Sequence, residues 1–192
     1  MPREALEVWL DAADAATVVT DEAGRVEAWK DKSGKLRHAT QAAAEHRPFY
    51  VADGVNGKPA LRFDEQLATR MELPDLAENK ISATIFAVVS NPEPGLEINH
   101  DPRILTASDG QGFDYLVGLC CSIPGLQTGG PRIIVTQHQD RWAKHVRVGC
   151  FSPNYQTYLK GYIGEILVYS RLLTREEQDL VRVYLTTKWR LE

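Results

Sequence analysis

The chain has 192 residues, 43% of them hydrophobic and 25% charged, and its formal net charge at pH 7 is −4. These fractions are ordinary for a soluble globular protein, and the length suits one domain, residues 1–192, with a full core. The acidic balance argues against a nucleic-acid partner, because phosphates require a basic face. No apolar run of about 18 residues is present, so the sequence predicts no membrane span.

The first third of the chain consists of short runs that alternate apolar and polar residues. Leu6–Asp11 predicts an opening strand, and residues 18–20 and 25–29 predict two further strands. Gly24 ends the turn between these two, where it can supply a positive φ. Residues 31–34 break the alternation again.

Residues 47–51 and 59–63 are rich in strand-forming residues and flank two glycine turn signals within residues 53–57. This arrangement predicts a hairpin-like connection. Residues 82–89 are nearly all apolar, which predicts a central strand buried on both faces.

Loops and strands alternate through the second half of the chain. Residues 92–102 and 123–131 are rich in proline and glycine and predict loops. The strands predicted here cover residues 103–106, 113–117, 132–136, 145–149 and part of 160–170.

The predicted helix covers residues 174–189 at the end of the chain. Thr174 and Glu177 form a capping box at its start. Leu180, Tyr184 and either Leu185 or Lys188 are expected on its buried face. Many short strands followed by one terminal helix predict an all-β antiparallel sandwich carrying a C-terminal α-helix.

Three separated blocks of sequence carry a family resemblance. They are residues 8–14, residues 26–40 with their Trp-Lys-Asp-Lys-Ser-Gly and His-Ala-Thr runs, and residues 160–189. Together they resemble bacterial laminin G-like modules of the concanavalin A-like lectin/glucanase class. The resemblance implies a jelly-roll topology and a ligand-binding surface. One departure is the segment 137–143, which is too short for the hairpin that family members carry there, and its loss would remove part of a ligand groove.

Catalysis is not expected from the pattern of acidic residues. Retaining glucanases of this class place carboxylates in alternation on one strand, where residues two apart share a face. Glu165 stands alone among apolar residues, so a structural role is favoured for it. No serine, histidine and acid form a recognisable triad. The sequence therefore predicts a protein that is not an enzyme.

Ligand contacts are expected from loop aromatics and turn aspartates. Trp142, Tyr155 and Tyr158 lie in loop-like sequence, where flat rings can stack on sugar C–H faces, although loop packing explains them equally well. Asp109 and Asp114 flank a glycine turn and are the predicted polar ligand contacts.

Calcium is the metal that the resemblance implies, because members of the class hold it through loop carboxylates and carbonyls. Asp31 and Asp53 lie in or beside glycine turns and could supply such hard oxygen ligands. The alternative is that each aspartate caps its own turn.

The three cysteines give no zinc-like spacing. Cys120 and Cys121 are adjacent, and a bridge from Cys150 to either is left open, with buried thiols favoured.

The expected function is a non-catalytic binding module, most simply for carbohydrate, with a protein partner as the alternative and a degenerate glycoside hydrolase as the third reading. Residues 1–7 contain no apolar signal core. A cytoplasmic protein and a module of a larger extracytoplasmic protein are both compatible with this start, and the second is favoured.

Overall fold

Two antiparallel sheets face each other in the computed structural model, which describes residues 1–91, 104–108, 114–115, 129–141, 143–152 and 157–191. The fold is therefore an all-β sandwich with a C-terminal helix, as the sequence predicts. Strands are numbered here in chain order.

The six-stranded sheet contains β1 (Leu6–Asp11), β5 (Phe49–Val55), β6 (Lys58–Phe63), β8 (Ile81–Asn91), β11 (Gly129–Arg141) and β15 (Gly161–Tyr169). The seven-stranded sheet contains β2 (Val18–Thr20), β3 (Val26–Trp29), β4 (Ala39–Thr40), β7 (Met71–Leu73), β9 (Leu105–Ser108), β10 (Asp114–Tyr115) and β12 (Lys144–Val148). Two short strands, β13 (Cys150–Ser152) and β14 (Thr157–Tyr158), pair only with each other, and the helix α1 covers Arg175–Trp189.

The last strand of the chain occupies the centre of the six-stranded sheet. β15 pairs with β8 along one side, and with β6 and then β1 along the other. The first and last strands are therefore hydrogen-bonded neighbours. β8 is buried on both faces, as its apolar run predicts.

The hairpin predicted between residues 47 and 63 is formed by β5 and β6. Its turn lies at Asn56 and Gly57, which both have positive φ, the geometry that suits a two-residue hairpin turn. The prediction of a turn at Asp53 and Gly54 is wrong, because β5 continues through both residues to Val55.

Two further boundaries differ from the predictions. Residues 129–131 were expected to end a loop but belong to β11. In the short segment 137–143, residues 137–141 are the end of β11, and β12 begins at Lys144 in the other sheet. The predicted loop 92–102 lies outside the described residues.

The main core lies between the two sheets. Trp29 is fully buried there, together with large side chains from both sheets. Trp9 is also buried but faces the opposite way, into a second apolar cluster between the six-stranded sheet and the helix. Both tryptophans are therefore core residues, in two separate clusters.

α1 covers the outer face of the six-stranded sheet through Val181, Leu185 and Trp189, all of which are buried. The Trp189 ring packs so closely on Gly164 that a Cβ there would come within 2.5 Å of it. The predicted helix face is wrong at Leu180, which is 58% exposed. The buried side of α1 is instead formed by Val181, Leu185 and Trp189, which are spaced four residues apart.

A buried carboxylate joins the helix to the sheet. Glu165 on β15 is 1% exposed and accepts four side-chain hydrogen bonds. The donors are Trp9 Nε1 at 2.7 Å, Tyr184 Oη at 2.8 Å, Lys188 Nζ at 2.7 Å and Trp189 Nε1 at 2.6 Å. Three of these four donors belong to α1.

A second carboxylate shares this network. Asp11 lies opposite Glu165 in the β1–β15 register, and Lys188 Nζ also pairs with it at 2.6 Å. Lys32 Nζ bridges Asp11 at 2.8 Å and Asp14 at 2.7 Å. Burial and the neighbouring Glu165 charge raise the pKa of Tyr184, so its phenol stays protonated and donates.

The substitution Glu165→Ala should lower the free energy of unfolding by about 3–5 kcal/mol, because it leaves two indole N–H groups without their acceptor and leaves Lys188 paired with Asp11 alone. Urea denaturation measures this change, with exposed Glu22→Ala as the control. A loss below about 1 kcal/mol would contradict the role given to Glu165.

The helix begins at the predicted capping box. Thr174 Oγ1 accepts from the Glu177 N–H at 3.3 Å, and the Glu177 carboxylate accepts from the Thr174 N–H at 2.9 Å. Arg171 donates two further hydrogen bonds to that carboxylate. The Arg171 guanidinium, followed by the Thr174 N–H, lowers the pKa of Glu177 to about 2.

A lowered pKa means that Glu177 stabilises the helix start above its ordinary pKa near 4.5, and that this contribution is lost as the pH falls through about 2. An NMR titration of the Glu177 carboxyl should show a midpoint near 2 in the parent and a higher midpoint in Arg171→Gln. Equal midpoints in the two proteins would argue against the ion pair.

Candidate functional site

Within the described residues, the outer face of the seven-stranded sheet is a broad surface that no other element covers. The six-stranded sheet is covered on one face by the other sheet and over much of the opposite face by α1. In the seven-stranded sheet, the buried side chains of β3, β4, β7 and β12 all point into the sandwich core. A ligand surface on a sheet face is therefore expected on its other side.

A row of polar residues crosses this outer face. Strand pairing aligns Thr40 on β4 with Glu72 on β7, Glu72 with Arg147 on β12, and Arg147 with Thr106 on β9. Thr40 and Glu72 are exposed and Arg147 is half-buried. With strands about 4.8 Å apart, the row extends over roughly 15 Å. It offers charged and hydroxyl groups along one line.

One end of the row is closed by the β13–β14 hairpin. Thr106 points outward from its strand but is fully buried, and its hydroxyl donates to the Cys150 carbonyl at 2.8 Å. Gly149, with φ +78°, makes the turn that brings this carbonyl over the sheet. The polar row therefore ends against a wall.

Tyr158 is the aromatic residue of this wall whose side chain the structure describes. It pairs with Cys150 across the hairpin and is half-buried. The Arg70 guanidinium carbon lies 6.0 Å from the centre of its ring. Desolvation by burial raises the pKa of Tyr158, so the phenol stays neutral and can both donate and accept.

Arg70 connects this wall to the row. It lies two residues before Glu72, so the alternation of a strand places both on the same side. Its Nη1 donates to the Ala68 carbonyl at 3.1 Å, while its Nε is buried without a hydrogen-bond partner. Arg70 therefore places a guanidinium between the polar row and the wall.

Of the predicted ligand contacts, only Tyr158 is placed with its side chain at this surface. Asp114 lies on β10, where its backbone pairs with Ser108 at the edge of the same sheet. Trp142, Tyr155 and Asp109 lie outside the described residues, as do Cys120 and Cys121. Cys150 is buried, as the sequence favours.

The two predicted calcium ligands lie apart. Asp53 is an exposed residue of β5 in the six-stranded sheet. Asp31 follows β3 and is almost buried, and its oxygens accept from the N–H groups of Trp9, Ser33 and Arg37 and from the Ser33 hydroxyl. Across the described ranges, no group of three or more acidic, histidine or cysteine side chains could hold a metal ion. Calcium binding stays a prediction.

The paired carboxylates of Asp11 and Glu165 do not form an open site. They are 3% and 1% exposed, and they lie under α1 with lysine and indole donors on their oxygens. A general acid must reach the proton it transfers, and these oxygens are closed to a substrate. Glu165 has the structural role that the sequence favours.

Sequence reasoning missed most of the polar row. Thr40, Glu72 and Arg147 are single polar residues between apolar neighbours in short strands, such as Glu72 in Met71–Leu73. The alternation itself was the available signal, since residues between core positions point outward. Which outward residues line up across the sheet depends on strand order and register.

Comparisons with known proteins show the fold. No protein-family model matches the chain, and no curated protein sequence does. Among solved structures, the binding domain of Paraclostridial Mosquitocidal Protein 1 is similar over 95% of this chain, with a TM-score of 0.59 and 12% identity. The chain spans 53% of that structure's own length.

Two structures of Trypanosoma rangeli sialidase are less similar. They give TM-scores of 0.44 and 0.48 at 13% and 15% identity, over 96% and 95% of this chain and 33% of theirs. The second is a complex with 2,3-difluorosialic acid, described as a covalent intermediate.

In the part of the chain that the structure describes, no helix is long and apolar enough to cross a membrane.

The substitution Gly149→Ala should destabilise the turn that carries the wall. A Cβ there would lie 2.2 Å from the buried Phe63 ring, in addition to the strain of a positive φ. Gly57→Ala is the matched control, because it has the same sign of φ with nothing within 4 Å. Urea denaturation should show Gly149→Ala to be less stable than Gly57→Ala by about 1–3 kcal/mol. Equal losses would argue against close packing at Gly149.

Proposed function

We propose that the chain is a laminin G-like, non-catalytic binding module, that its ligand is carbohydrate, and that it belongs to a larger extracytoplasmic protein. The observation that carries the proposal is the open polar row of the seven-stranded sheet, which ends at a wall containing Tyr158. The whole chain is taken as one domain.

Carbohydrate suits this surface chemically. Sugar hydroxyls both donate and accept hydrogen bonds; Glu72 supplies a carboxylate acceptor and Thr40 a hydroxyl that both donates and accepts. The C–H face of a sugar ring packs on an aromatic ring, which Tyr158 offers beside the row. A shallow face of this kind holds a chain of sugars more readily than one small molecule in a closed cavity.

Fold similarity to the binding domain of a mosquitocidal protein supports a binding role. That domain is described by its binding function, and 95% of this chain is similar in structure to 53% of that domain. At 12% identity the similarity shows the fold and does not identify the ligand. The choice of carbohydrate therefore rests on the surface.

A protein partner is the alternative ligand, and one observation favours it. Leu180 and Val183 lie one turn apart on the outer side of α1 and are 58% and 64% exposed. Exposed apolar residues that cluster mark interaction surfaces when the patch is large. Degenerate glycoside hydrolase is the third reading, and the closed Asp11–Glu165 pair gives it no support.

Glycan-array screening of the parent should identify a carbohydrate ligand, with calcium and with a chelator to test the calcium prediction. Glu72→Gln and Tyr158→Ala should each weaken binding about tenfold, because one removes a charged hydrogen-bond acceptor and the other a stacking ring. Glu176→Gln, exposed on α1 at the opposite side, is the control. A parent that binds no glycan, or variants that bind as the parent does, would overturn the proposal.

A further inference from the structure

A second polar surface lies on the outer face of the six-stranded sheet, beside the area that α1 covers. Pairing places Arg25 next to Phe49, Phe49 next to Arg62, and Arg62 next to Tyr162. These four residues are named here the cationic row. All four are half-buried, and the Arg62 side chain is 39% exposed.

The row is on the helix side of the sheet and not in the sandwich core. Leu61 and Phe63, the neighbours of Arg62 in β6, belong to the core cluster between the sheets. Alternation along the strand therefore turns Arg62 to the opposite face. Tyr162 contacts the helix-side cluster from its edge. The cationic row therefore lies on the same face of the sheet as α1, in the part that the helix does not cover.

The two arginines stack on the same ring. The guanidinium carbon of Arg25 lies 4.7 Å from the centre of the Phe49 ring, and that of Arg62 lies 4.5 Å from it. Cation–π contact holds each planar guanidinium in a fixed position. Because both distances are measured to the same ring centre, the two guanidinium carbons lie within about 9 Å of each other.

Among the described residues, no carboxylate accepts a hydrogen bond from either guanidinium. Arg25 Nη1 donates to the carbonyls of Ala44 and Glu45, at 3.3 and 3.2 Å. The nearest carboxylate oxygen of Asp64 lies 3.7 Å from Arg62 Nη1, which is beyond hydrogen-bond distance. Both arginines keep N–H donors in a chain whose net charge is −4. An anion bound to these donors would offset the positive charge of the row.

We propose that the cationic row binds an anionic saccharide, one that carries carboxylate or sulfate groups. The guanidinium edge of Arg62 matches the two oxygens of such a group, since arginine binds them in a bidentate manner. Tyr162, next in the row, offers an aromatic ring on which the sugar attached to that group packs. The combination of fixed cations and a neighbouring ring favours a charged sugar over a neutral one.

This surface is separate from the polar row of the seven-stranded sheet. The two lie on opposite outer faces of the sandwich, so a substitution in one leaves the other intact. The variant Tyr158→Ala alters only the polar-row surface of the seven-stranded sheet. Binding of an anionic saccharide should therefore be the same in Tyr158→Ala as in the parent. Failure of one proposal is distinguishable from failure of the other.

The test measures binding of the full chain to four polymers by biolayer interferometry: polygalacturonate, dextran sulfate, neutral dextran and polyglutamate. The parent should bind polygalacturonate or dextran sulfate, and Arg62→Gln should weaken that binding about tenfold. Arg182→Gln removes an exposed cation from α1 and is the charge-matched control. Thermal unfolding should be nearly the same in the two variants, since both positions lie at the surface.

Binding of either acidic polysaccharide that depends on Arg62 but not on Arg182 supports the proposal, and the preferred polymer tells carboxylate from sulfate. Equal loss in the two variants would mean general charge attraction and would overturn it. So would equal binding of neutral dextran, or equal binding of polyglutamate, which would point to acidic peptide. Absence of binding to both acidic polysaccharides also overturns it.

Discussion

The carboxylate of Glu165 is the interaction on which the arrangement of this protein depends. A charge that is 1% exposed requires partners, because desolvation costs several kcal/mol for an unpaired ion. Its partners come from the first strand and from the last turns of α1, so one side chain joins three distant parts of the chain. Asp11 and Lys188 extend the same network. The helix is thereby held in one orientation on the six-stranded sheet.

Fixing the helix there determines which surfaces are available to a ligand. Most of the outer face of the six-stranded sheet is closed, and the outer face of the seven-stranded sheet stays open with its polar row. The cationic row occupies the part of the covered sheet that α1 does not reach. A polar surface with charges of both signs and a cationic surface therefore lie on opposite sides, and each has an aromatic residue beside its charges. Two surfaces of different chemistry suit a module that meets more than one kind of group.

Local sequence signals predicted much of the fold. Alternation located β1, and the Thr174–Glu177 capping box located the helix start, because both depend on residues close together in the chain. The partners of Glu165 could not be predicted, since Trp9 is 156 residues away and meets it only through strand pairing. The predicted helix face is wrong at Leu180, because the buried side of α1 depends on how the helix packs on a distant strand. The polar row also depends on strand order and register, so of the predicted contacts with described side chains only Tyr158 lies beside it.

The position of the final strand has a consequence for biosynthesis. β15 is the central strand that joins β8 to β6 and β1, yet the ribosome makes it after all of them. Until residues 161–169 emerge, the strands on either side have unsatisfied edges, and exposed edges are prone to pair with other chains. Contacts between such distant segments also close slowly. A nascent chain of this kind completes its six-stranded sheet only after residues 161–169 have been made, which makes it a natural client for chaperones that shield open strands.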